Sequence, residues 1–149
     1  MGSVHRLDEI REGLQQIGLL GNKHDLPIDP GILEMVVVLN ALEFTTYTSC
    51  EGHNGTPWGT TMPFVCIGSD DPRRGREMKR RFRELLERFY GKCSVSSGER
   101  IYMCSVSVPI YGFSIHSPLN IERYGDLQAL SHAQREMNVL REFLMNVYI

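Results

Sequence analysis

The stretch from Asp71 to Gly91 constrains the fold most. Asp71-Pro72 places a good N-cap before a proline at the first helical position, and Met78, Phe82, Leu85, Leu86 and Phe89 follow at i, i+4, i+7, i+8 and i+11, with Gly91 as the stop. That spacing predicts a long amphipathic helix. A helix with one apolar face must bury it against another layer, so the rest of the chain has to supply a sheet or further helices.

It supplies both. Leu7, Ile10, Leu14 and Ile17 recur at helical spacing before Gly18 and Gly21, and Asp29-Pro30 opens a second helix running to about Leu42. The segments 44–49 and 63–67 carry the β-branched and aromatic residues of strands, as do 92–96, 100–108 and 111–117. Short connections at Ser97-Gly98 and Pro109-Ile110 predict antiparallel neighbours. From Asp126, Leu127, Leu130, Ala133, Met137, Leu140, Leu144 and Val147 return at steps of three and four. The expectation is an α+β (α/β) chain, one compact domain over residues 1–149, with about four helices on a mixed or mostly antiparallel sheet.

Composition narrows the function classes. At 149 residues, 42% hydrophobic and 23% charged, the chain can bury one core. A net charge of -2 and a pI near 6.2 argue against coating nucleic acid by bulk charge. The apolar run 32–42, interrupted by Glu34 and Asn40, falls short of the roughly 20 residues of a membrane span. No signal-like segment opens the chain, so no membrane and a cytoplasmic location are expected. Cys50, Cys66, Cys93 and Cys104 form no C-x-x-C pair, which argues against a zinc ribbon or disulfide scaffold; Cys66, Cys93 and Cys104 read as strand thiols. Phosphate loops, Rossmann fingerprints, H-E-x-x-H and G-x-S-x-G are all missing.

The chemistry concentrates in Ser49, Cys50, Glu51, Gly52 and His53: hydroxyl, thiol, carboxylate and imidazole around a glycine that permits a positive φ. Cys50 and His53 fit either an activated thiolate or two ligands of a metal, with His116 or His24 as a distant partner. The same turn also fits a general ligand-binding loop or simple satisfaction of backbone groups. Thr46, Thr48 and Trp58 flank it, and a nucleobase stacked on Trp58 or a Trp58 covering the sheet edge are equally compatible with the residues. The helix between Asp71 and Gly91 carries eight of the chain's 16 Lys and Arg, among them Arg73, Arg74, Arg76 and Arg80. These are candidate phosphate or RNA contacts, although Glu77, Glu84 and Glu87 stand at ion-pairing distance along the same helix.

The Asp29-led helix ending at Leu39-Asn40, the run T-T-Y-T-S-C-E-G over residues 45–52, and Pro63-Phe64-Val65 together resemble the signature region of the wybutosine-synthesis tRNA methyltransferase family. His53 stands where that pattern has arginine, and an imidazole lacks the guanidinium's fixed charge and fork of donors. The Cys-Glu-Gly-His form is also similar to small bacterial and phage proteins, compatible with a relative that kept the fold and changed its ligand. The resemblance implies a compact α/β fold, S-adenosylmethionine as cofactor, and methylation of a modified guanosine in tRNA. The expectation is then a nucleoside-, nucleotide- or RNA-recognising protein. Cys50, Glu51 and His53 are its candidate catalytic residues, with Thr46, Thr48, Ser49, Gly52, Trp58 and His116 around the ligand. The alternatives are a non-enzymatic module for a small phosphorylated ligand and a metal or thiol site.

Overall fold

The computed structural model describes residues 2–19, 28–56, 59–91, 100–106, 111–118 and 126–149. Its elements run α1 (Val4–Leu19), α2 (Pro30–Ala41), β1 (Thr46–Cys50), β2 (His53–Thr56), β3 (Gly59–Thr61), β4 (Phe64–Ser69), α3 (Pro72–Tyr90), β5 (Tyr102–Val106), β6 (Tyr111–His116) and α4 (Asp126–Tyr148). The class is α+β: among the described residues, four helices with a four-stranded sheet ordered β1-β4-β6-β5, antiparallel throughout, and a small β2-β3 hairpin. The expected strand 92–96 and its Ser97-Gly98 turn lie outside the described residues, as do Pro109-Ile110.

Burial explains the layering. α2 is apolar nearly all round, with Met35, Val36, Val37, Val38 and Leu39 each at most 2% exposed. Such a helix must be enclosed, and it lies among α1, α4 and β1. Its C-terminus closes by a Schellman pattern, Phe44 N–H to Leu39 O at 2.9 Å and Glu43 N–H to Asn40 O at 3.0 Å, with Glu43 at φ 69°. That turn drops Phe44 into the core, so β1 begins at Thr46 rather than at residue 44.

On the covered face of the sheet, Val65, Ile67, Phe113 and Ile115 are fully buried. α3 packs on β4 and β6, where Phe82 meets Phe44 edge-on at 5.7 Å and Phe113 at 5.5 Å. Along α4, Leu130, Ala133, Met137, Leu140, Leu144 and Tyr148 form the inward stripe, while Leu127 at its start is 66% exposed. The glycine- and threonine-containing stretches 53–56 and 59–61 pair as β2 and β3, which pack against α4. Of the strand thiols, Cys66 is buried, Cys104 is exposed, and Cys93 lies outside the described residues. Cys104 lies on β5, the last strand of the sheet among the described residues, in register with Ser114 and thus on the sheet face away from the helices.

No helix among the described residues is long and apolar enough to cross a membrane.

Candidate functional site

Asp29 occupies the N-cap position of α2 but makes no capping bond with its side chain. Glu51 caps the helix instead: the Gly31 N–H donates to Glu51 Oε2 at 2.6 Å. Gly31 permits this approach, since a Cβ there would overlap the same oxygen. Asp29 is thereby free to hold the turn. Its Oδ2 accepts the Glu51 backbone N–H at 3.1 Å and lies 3.1 Å from His53 Nε2.

The 49–53 segment turns at Gly52, whose φ of 88° belongs to glycine. The turn sends Gly52 N–H to Cys50 Sγ at 3.4 Å and His53 N–H to Thr61 Oγ1 at 3.0 Å. From α4, Gln134 Nε2 donates to the Glu51 carbonyl at 3.1 Å. Asp29, Cys50 and His53 thus offer an oxygen, a sulfur and a nitrogen, all within 4.8 Å of one another. Burial pushes the Cys50 thiol up, and the neighbouring Asp29 carboxylate pushes it further; bonds from Gly52 and Thr61 offset part of this. Cys50 therefore rests as a thiol. An activated thiolate, one of the chemistries the motif allows, is not what this environment favours.

A cleft of about 210 Å³ opens beside Glu51, between Gly31, Pro63, Gln134 and Asn138. It is smaller than the roughly 300 Å³ at which pockets for drug-sized ligands begin, so it suits a small polar group.

The face of the sheet opposite the helices carries a row of rings. One register row crosses it: Cys50 opposite Phe64, Phe64 opposite His116, His116 opposite Tyr102. Their rings stack side by side, Phe64 on His116 at 5.7 Å and His116 on Tyr102 at 5.3 Å, with interplanar angles of 28° and 17°. Tyr102, on β5, is 38% exposed. The next row places Thr48, Cys66, Ser114 and Cys104 in line. Ser114 Oγ and His116 Nε2 are 2.6 Å apart, and among the described residues His116 Nδ1 has no hydrogen-bond partner. Burial holds the His116 pKa below its usual value.

The chain matches no protein-family model, no curated protein and no solved structure.

The structure groups the sequence-derived residues unevenly. Cys50 and His53 come together with Asp29 rather than with a distant histidine, while the Glu51 carboxylate turns to the start of α2. His116 lies two strands from Cys50 with Phe64 between them, and His24 is outside the described residues, as is Trp58. An irregularity in β1 between Thr46 and Thr48 separates those two threonines. Thr46 accepts a bond from Asn40 of α2 at 2.8 Å, on the helix side, and Thr48 joins the open face. Ser49 pairs with Val65 and so shares the helix side.

Arg73, Arg74 and Arg76 follow the end of β4, whereas Cys50 pairs with its first residue, so the basic cluster stands at the opposite end of the sheet from the turn. There Arg80 is held by Glu77 and Glu84, and Arg74 reaches Thr45 Oγ1 at 3.4 Å. Arg73 and Arg76 are exposed without an ion-pair partner among the described residues. Sequence reasoning missed Asp29 as a site residue because an aspartate before a proline reads as a cap. It missed Tyr102 because one aromatic in a strand carries no sign of which row it joins.

Proposed function

We propose that this chain recognises a nucleoside- or nucleotide-bearing ligand laid across the open sheet face beside the 49–53 turn. The carrying observation is the row of stacked rings, Phe64, His116 and Tyr102, which among the described residues ends at an exposed tyrosine. A base continues such a stack because every base presents a π-face, and the contact contributes about 1–3 kcal/mol. Thr48 and Cys104 in the neighbouring row provide a hydroxyl and a thiol for base or ribose edges.

S-adenosylmethionine is the first ligand to try, because the resemblance of residues 26–65 to the wybutosine methyltransferases implies it. A cytoplasmic setting is part of this reading and is supported by the unpaired thiols of Cys50, Cys66 and Cys104. A role in binding rather than catalysis is favoured by the raised Cys50 thiol and by the engagement of Glu51 as a helix cap.

A thermal-shift panel of S-adenosylmethionine, its demethylated product, nucleoside monophosphates and short RNAs tests the proposal. A ligand bound only by the folded state raises the midpoint by mass action. The reading expects stabilisation by at least one adenosine- or guanosine-bearing ligand, lost in Tyr102→Ala; no shift from any of them overturns it.

A further inference from the structure

The geometry points to a divalent transition-metal site, best suited to zinc, formed by Asp29, Cys50 and His53. It does not rest on the nucleotide reading. The donors are a carboxylate oxygen, a thiol sulfur and an imidazole nitrogen, brought by the residue before α2, the end of β1 and the start of β2. Mixed oxygen, sulfur and nitrogen donors suit zinc, whereas calcium and magnesium take oxygen alone. Tetrahedral zinc with bonds of roughly 2.0–2.3 Å sets its donor atoms roughly 3.3–3.7 Å apart. Asp29 Oδ2 and His53 Nε2 already stand 3.1 Å apart, and all three atoms lie within 4.8 Å, so small side-chain rotations complete the site.

The surroundings are those of a cation site. Among the described residues His53 is the only cation-capable side chain on Asp29, and Glu51 adds a second carboxylate nearby. The shell behind the donors is also present. Glu51 N–H fixes Asp29 Oδ2, Gly52 N–H points at the Cys50 sulfur, and Thr61 on β3 anchors the His53 backbone. The His53 and Asp29 side chains are 45% and 30% exposed, which gives the ion a path in and leaves a fourth position to water or a small anionic ligand. On binding, the Cys50 S–H proton leaves to solvent as the sulfur–metal bond forms, and no redox change accompanies it.

Cobalt(II) titration of the chelator-treated full-length protein tests the site. One ion per chain is expected, with intense visible absorption of tetrahedral cobalt and a near-ultraviolet thiolate-to-cobalt charge-transfer band, both displaced by zinc. Cys50→Ser should abolish the charge-transfer band. Asp29→Asn and His53→Ala should each weaken zinc affinity, measured against a competing chelator, by more than the roughly 10–100-fold that loss of an outer-shell partner costs. Far-UV circular dichroism of the metal-free variants establishes that each is folded, and should Cys50→Ser not fold, the affinities of the other two decide. Failure of stoichiometric binding, a charge-transfer band that survives in Cys50→Ser, or unchanged affinity in both Asp29→Asn and His53→Ala overturns the assignment.

Discussion

Glu51 caps α2 from 20 residues away, accepting the Gly31 N–H that Asp29, in the cap position, leaves to it. The exchange ties the turn to the helix, and its energetic share is measurable. Glu51→Ala should lower stability by about 1 kcal/mol, the usual cost of a lost cap, while Glu51→Gln, which keeps a carbonyl acceptor, should lose less. Urea unfolding of the three proteins reads this directly; an unchanged midpoint in Glu51→Ala would show that the cap contributes nothing.

Gly52→Ala should destabilise by about 1–2 kcal/mol through its left-handed backbone alone. The added Cβ would also stand 2.8 Å from Leu130 Cδ1, which moves aside as the end of a flexible side chain. Because Gly52 orients both Cys50 and His53, the same variant should weaken ligand or metal binding more than its stability loss accounts for. Binding titrations run well below the unfolding midpoint separate the two effects.

Glu43→Gly is expected to move stability the other way. Glu43 is exposed and holds φ 69° at the position where a Schellman turn favours glycine. Relief of left-handed strain, about 1–2 kcal/mol, outweighs the extra freedom glycine gives the unfolded chain, about 0.4–1 kcal/mol, for a net gain of roughly 0.5–1 kcal/mol. A thermal midpoint at or below that of the wild type contradicts this.

A pH effect follows from His116. Burial lowers its pKa below the ordinary 6.5, so the unfolded chain binds a proton more readily than the folded one. The stability this represents is present above pH 6.5 and is lost as pH falls from there through the lowered value. His116→Gln should flatten the decline of the melting temperature just below pH 6.5 relative to wild type; parallel curves for the two proteins contradict it.

Much of the fold was legible because period and punctuation agree. Asp71-Pro72, the Met78 and Phe82 stripe and Gly91 delimit α3 as found, and the stripe from Leu130 to Leu144 is buried along α4. The β2-β3 hairpin was not legible, since its four- and three-residue strands around glycines lack alternation. The site was half legible. The polar turn declared itself by composition, but Asp29, 24 positions before His53, and Tyr102, three strands from Cys50, join it only through helix packing and register. The irregularity in β1 defeated the reading of Thr46 and Thr48 as equivalents, because one unpaired residue turns the first toward Asn40 and leaves the second on the open face.

Amide chemical shifts during titration with S-adenosylmethionine and then with guanosine monophosphate show whether the sheet face beside the turn is the binding surface. The largest shifts should fall on residues 48–53, Tyr102, Ser114 and His116. Shifts confined to Arg73, Arg76 and their neighbours at the far end of the sheet would contradict it.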